Sequence, residues 1–244
     1  MVISDEHKYV FVELPLTGTS AISTELCRSY DGRRILNKHS TYRTYLRQAS
    51  DEERKYFAFS CIRDPMDAVV SQYFKLKSDH FDFENPEKLA KRTWLNRLVY
   101  SRRRLEQIRF IRDNHADFAT YFMRFYRTPY SNWAILSHHK LDFVIRFENL
   151  SEDFALALSK VGLKMLDLLP VRNSTRERSR DFLSYYTDDT IERSKRVFSP
   201  FMAEWGYGFP NSWGDTHITT ALQVEYAILN SVRKFYWNYL KHDP

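Results

Sequence analysis

The sequence predicts an α/β fold, a three-layer α/β/α arrangement around a central parallel sheet, and three observations point to it. Short apolar, strand-like runs alternate with helical patterns along the chain. Its 244 residues suit a single domain, and 43% hydrophobic with 16% aromatic residues give ample apolar surface for one core. Sheets of this kind bind ligands outside the carboxyl ends of their strands, so the strand-to-helix corners are the places to read for function.

Tyr9-Val10-Phe11-Val12 is apolar and β-branched and stops at Leu14-Pro15, which predicts a buried strand. A polar turn follows at Thr17-Gly18-Thr19-Ser20, and Ala21, Ile22 and Leu26 then recur at helical spacing. A second strand is predicted over 56–62, running into Arg63-Asp64-Pro65, where Asp can cap a helix and Pro can take its first position. Val69, Val70, Tyr73 and Phe74 continue that helix to about Lys77. One long helical region is expected from about Pro86 to Tyr126, with Leu95, Leu98, Leu105, Ile108 and Ile111 as its apolar stripe. A third strand is predicted at Phe143–Arg146, a helix from Ser151, a polar Arg-rich loop over 172–178 and a helix over 187–205. The last helix, about 216–241, has Ile228, Leu229, Val232, Phe235, Tyr236, Tyr239 and Leu240 on one face, expected to pack on the core of the single domain 1–244.

Composition excludes several function classes. Six glycines, at 18, 32, 162, 206, 208 and 214, cannot be assembled into a GxGxxG fingerprint or a Walker A loop. Cys27 and Cys61 are too few for a disulfide framework, and the histidines lack Cys partners at zinc-finger spacing, so a reducing compartment without structural zinc is expected. No apolar stretch is long enough for a membrane span, and the first residues do not read as a secretory signal; the expectation is a soluble, cytoplasmic protein. The net charge is +6, and residues 91–127 concentrate ten Lys or Arg against three carboxylates. That run is either a solvated helix face or a surface for a polyanion such as RNA; DNA is not expected as a partner.

Two strand-to-helix corners stand out. Helix N-termini attract anions through their N–H groups and dipole. At the first corner, Thr17 to Ser20 offer backbone donors and three hydroxyls around one glycine. At the second, Arg63 ends the strand and Ser71 lies about two turns down the next helix, so a guanidinium and a hydroxyl could meet a second phosphate. Taken singly, each is as readily an ordinary helix start.

Together, the stretches Phe11-Val12-Glu13-Leu14-Pro15-Leu16-Thr17-Gly18-Thr19-Ser20 and Ile62-Arg63-Asp64-Pro65 with Ser71 resemble the sulfotransferase superfamily, on its P-loop-NTPase-like fold. Lys38-His39-Ser40-Thr41, Val144 to Leu150, and Asn173 to Arg176 followed by Phe198 to Tyr207 look like its carbohydrate-type branch. The resemblance implies 3′-phosphoadenosine 5′-phosphosulfate (PAPS) as donor, the desulfated nucleotide PAP as product, no metal, and a saccharide or small-molecule acceptor. It implies that Pro15, Leu16, Thr17, Gly18, Thr19 and Ser20 hold the 5′-phosphosulfate. Arg63 and Ser71 would hold the 3′-phosphate, with Ser174 and Arg176 as further contacts from the basic loop; Arg172 and Arg178 read as solvated. His39 is the candidate base for the acceptor hydroxyl, since an imidazole titrates near neutrality; a structural role weighs equally. Glu13 and Glu148, near strand ends, are weaker alternatives.

One departure from the pattern is Leu16, which stands where the family's loop has a lysine. By analogy with other single electrostatic contacts, losing that cation costs about 2.7–4 kcal/mol of transition-state stabilisation. Either Lys38, Arg43 or Arg176 supplies the charge, or the protein binds PAPS and transfers poorly. A catalytically impaired relative and a basic RNA- or polyanion-binding protein are the competing readings.

Overall fold

The structure, a computed structural model, describes residues 1–80, 82–83, 85, 87, 90, 101–169, 178 and 181–240. Contacts gather these into two compact units: the described residues of Met1–Asp64 and Ser131–Ser174 form one, and those of Pro65–Tyr130 and Thr175–His242 the other.

The first unit holds the sheet. Its elements are β1 (Val2–Ser4), β2 (Tyr9–Val12), α1 (Thr19–Ser29), β3 (Arg33–Arg34), α2 (Tyr42–Gln48) and β4 (Phe57–Ile62). The strand order is β3-β1-β2-β4, with a fifth strand, β5 (Phe143–Arg146), beyond β4. β2, β4 and β5 run parallel, with Phe11 opposite Phe59 and Cys61 opposite Ile145. The α/β class with a parallel centre is as the sequence predicts. The antiparallel edge strands β1 and β3 are additions to it.

Side chains alternate across a strand, so each strand feeds two cores. Tyr9, Phe11, Phe59, Cys61 and Ile145 face Ile22 and Leu26 of α1, together with Phe154 and Leu158. Val10, Val12 and Ala58 face the other way, against Tyr42 and Tyr45 of α2. The sheet of this unit is therefore the middle of three layers. His138 locks β4 from the side: its Nε2 donates to the carbonyl of Cys61 (2.9 Å), and burial pushes its pKa down to about 4, so it is neutral and structural.

The second unit is helical. α3 (Pro65–Lys77) begins where the sequence places it, with Pro65 at its first position. The long helix expected from 86 is two helices over its described part, α4 (Arg102–Asp113) and α5 (Phe118–Phe125). The chain breaks at His115, whose φ is +47°, and Asp117 caps α5 by accepting from the N–H of Thr120. Residues 91–100, with Leu95 and Leu98, lie outside the described residues.

A short helix, α6 (Ala134–Ser137), precedes β5 in the first unit, and α7 (Leu150–Lys160), which provides Phe154 and Leu158, follows it. In the second unit, α8 (Asp188–Trp205) supplies Val197, Phe198 and Met202 to a core shared with Val69, Val70, Tyr73 and Phe122. Phe122 and Phe198 stack at 5.6 Å.

The last helix, α9 (Thr220–Phe235), continues as a π-helical turn over Tyr236–Leu240. Its apolar stripe does not close the core. Val224, Ile228, Val232, Phe235 and Tyr239 are 50–60% exposed. The helix is held by its polar side instead, through Arg196 to Glu225 (3.2 Å), the Tyr226 hydroxyl to Glu204, and Arg233 to the carbonyl of Pro129 (3.0 Å). Helical periodicity marks a face but not what covers it. Among the described residues, no helix is long and apolar enough to cross a membrane.

Candidate functional site

In the first unit, the carboxyl ends of three adjacent parallel strands converge. β2 ends in the loop Pro15–Ser20 that opens α1, β4 ends at Arg63, and β5 ends at Phe147 and Glu148. The loop has two left-handed residues, Leu16 (φ +68°) and Gly18 (φ +74°), a backbone geometry from which anion-holding nests of N–H groups are built. Gly18 is the N-cap of α1. No side chain caps that helix, and its first turn has no acidic residue, so its positive end is uncompensated from within.

Arg63 ties the three ends together. It is buried, and one guanidinium nitrogen donates to the carbonyl of Leu16 at 2.9 Å. Its guanidinium carbon lies 4.0 Å from the centre of the Phe147 ring, a cation–π stack. Phe147 also packs on Gly18, where an added Cβ would stand 3.0 Å from the ring. Glu148 accepts the backbone N–H of Asp64 at 2.7 Å, which fixes the turn leaving β4 and employs this carboxylate in structure. Gly18→Ala meets both the positive φ and the Phe147 ring. We expect it to lower stability by about 1–2 kcal/mol, read as a shifted urea midpoint at constant m-value.

The loop hydroxyls divide into two kinds. Thr17 and Thr19 are buried and both donate to the carbonyl of Leu14 (2.9 and 3.0 Å), so they hold the loop's shape. Ser20 differs: its Oγ accepts from Nζ of Lys38 at 2.9 Å. Beside Lys38, His39 sets its Nδ1 3.1 Å from the backbone carbonyl of Glu13. A carbonyl can only accept, so Nδ1 holds the proton and Nε2 is the basic atom. Burial, opposed by that hydrogen bond and reinforced by the Lys38 charge, keeps the His39 pKa below its ordinary value of 6.5. Trp133 meets the imidazole edge-on, with ring centres 6.0 Å apart. The Glu13 carboxylate is buried, accepting from the Ser23 hydroxyl and the Met1 amino group (both 2.6 Å), and is occupied in structure.

Of the other residues expected from sequence, Ser71 lies on α3 in the second unit, buried, accepting from Arg178 at 2.5 Å. Arg178 also pairs with Asp67, one turn earlier on α3. The sequence predicts a solvated Arg178; its contact with Ser71 depends on a chain return that local pattern does not encode. Ser174 and Arg176 lie outside the described residues. Lys38 on Ser20 and Phe147 under Arg63 are further contacts that sequence does not single out.

A parallel sheet whose strand ends meet an uncapped helix start and a buried arginine, with a lysine on the first turn of that helix, presents donors of the kind that hold anions in α/β proteins. The profile of the sulfotransferase family matches residues 1–202, and the chain belongs to that family. Family membership supports a sulfotransferase activity. No curated protein and no solved structure matches the chain.

Proposed function

We propose that the protein transfers a sulfuryl group from PAPS to a hydroxyl or amine of a saccharide or small-molecule acceptor by in-line displacement. The observation that best supports this reading is the Arg63 bond to the Leu16 carbonyl, which joins the two corners that the family resemblance assigns to the two ends of one nucleotide. The donor set suits such a ligand: backbone N–H groups at the start of α1, the Ser20 hydroxyl, the Lys38 ammonium and the Arg63 guanidinium are the groups that bind phosphate and sulfate oxygens. Bound PAPS supplies the sulfuryl group and a phosphate leaving group.

The chain's own residues have separate tasks. Pro15 to Ser20 hold the 5′-phosphosulfate, with Leu16 and Gly18 shaping the backbone. Arg63 binds the 3′-phosphate; Ser71, Ser174 and Arg176 are assigned to that phosphate by the family resemblance. His39 accepts the acceptor's proton at Nε2, the atom its Nδ1–H bond to Glu13 leaves basic. A metal is not needed for any of these roles, and the cytoplasm suits a chain whose Cys27 and Cys61 are free thiols.

Leu16 favours one competing reading, a PAP-binding relative with little turnover. Calorimetric titration with PAP, run beside an assay of sulfate transfer from labelled PAPS to a panel of hydroxyl and amine acceptors, decides between them. Saturable one-to-one binding with turnover is the expected result. Binding without turnover selects the impaired relative. No PAP binding, with steeply salt-dependent RNA binding that survives Arg63→Ala, transfers the function to the basic run at 91–127.

A further inference from the structure

We infer that Lys38 is the catalytic cation of the loop, contributed by the segment before α2 and acting on the leaving phosphate beside His39. The inference rests on the functional reading above and adds a residue and a role to it. Lys38 is exposed, and its Nζ lies 2.9 Å from Oγ of Ser20, in the first turn of α1. Cations are disfavoured at the positive end of a helix. Here a lysine is held against such an end, where no acidic residue or capping side chain offsets it. Among the described residues Lys38 has no carboxylate at ion-pair distance, whereas Arg28, Arg33 and Arg54 each have at least one. An ammonium with no carboxylate beside it, a helix start and a serine hydroxyl together form a donor set for an anion.

Leu16 cannot supply charge, and Arg63, whose guanidinium is held on Phe147, is assigned above to the 3′-phosphate at the other end of the nucleotide. Lys38 therefore reaches the rim of the loop from a different stretch of chain. In the transfer, the acceptor oxygen bonds to sulfur as the bond between sulfur and the phosphate oxygen breaks. That oxygen keeps the electron pair, and its growing negative charge is met by Nζ of Lys38. The acceptor's proton goes to Nε2 of His39. Adjacent residues thus serve opposite ends of one displacement, and the charge of the first lowers the proton affinity of the second. The charged groups facing His39 are Lys38, the Glu13 carboxylate and the Met1 amino group paired with it, and the Trp133 ring stands perpendicular to the imidazole.

The test uses the full chain with PAP and PAPS as probes and three variants: Lys38→Met, Lys38→Arg, and Lys38→Met combined with Leu16→Lys. Lys38→Met is expected to keep the thermal midpoint, to lower kcat on the order of 10²–10³-fold, and to weaken PAP binding far less, because the charge matters most as the bond breaks. The acid limb of its kcat profile moves to higher pH, since His39 loses a neighbouring positive charge. Lys38→Arg keeps most of the activity, and the relocated lysine in the double variant restores at least about tenfold of what Lys38→Met loses. A Lys38→Met enzyme with wild-type kcat, or one whose loss is fully accounted for by weaker PAP binding with an unmoved acid limb, overturns the assignment. Wild-type protein that neither binds PAP nor transfers sulfate overturns the functional reading itself, and the two failures are distinguishable.

Discussion

Replacing His39 with alanine is expected to lower kcat for sulfuryl transfer by about 10²–10⁴-fold while leaving PAP affinity unchanged. The side chain meets the fold through one hydrogen bond, from Nδ1 to the Glu13 carbonyl, and through an edge contact with Trp133. Its removal therefore takes away the proposed proton acceptor and leaves the hydrogen bonds of the loop after β2 in place. The pH dependence follows from burial. A base held neutral below its ordinary pKa of 6.5 keeps working as the pH falls past that value, so the acid limb of kcat lies on the low side of 6.5 and disappears in the variant. Stability has the same sign. The unfolded chain protonates this imidazole near 6.5 and the folded chain resists, so the contribution is complete above that pH and is lost as the pH falls toward the folded value. His138, held at about 4, acts likewise, so the kinetic limb and not the melting curve identifies His39. An alanine variant with unchanged kcat and an unchanged acid limb removes His39 from the reaction.

Arg63→Met is expected to cost about 2–4 kcal/mol of stability and to weaken PAP binding by one to two orders of magnitude. The stability loss has two sources, an unsatisfied carbonyl at Leu16 of about 1–3 kcal/mol and a lost cation–π stack of about 0.5–2 kcal/mol. The affinity loss reflects a charge-assisted hydrogen bond to phosphate, which is worth about 1.5–3 kcal/mol. Arg63→Lys should restore little, because an ammonium has neither the flat face that lies on Phe147 nor the fork that spans two acceptors. Denaturant midpoints and calorimetry report the two effects separately. A methionine variant that retains both contradicts the role given to Arg63.

Much of the sheet was legible in the sequence because the signals were local. Tyr9–Val12 and Phe57–Ile62 are apolar runs bounded by prolines, and both corners fall within a residue or two of where those boundaries put them. β1 and β3 were not legible: three and two residues are too short for a period to show. The break between α4 and α5 escaped because the apolar spacing continues through it, and only the left-handed His115 and the Asp117 cap mark it. The stripe on α9 was read correctly as a face and wrongly as a buried one, since spacing does not encode burial. For the candidate residues of each unit, identities were readable while pairings were not. Lys38 meeting Ser20, Phe147 lying under Arg63, and Arg178 reaching Ser71 join positions 18, 84 and 107 residues apart.

The stack of Gly18, Phe147 and Arg63 has a mechanical consequence. One aromatic ring and one guanidinium brace the loop after β2 with material from the ends of β4 and β5, so the cradle is preorganised by the sheet itself. On the proposed function, a nucleotide bound there would have little backbone left to freeze, and the free energy of its contacts would be available for affinity and for the displacement instead of for ordering the receptor.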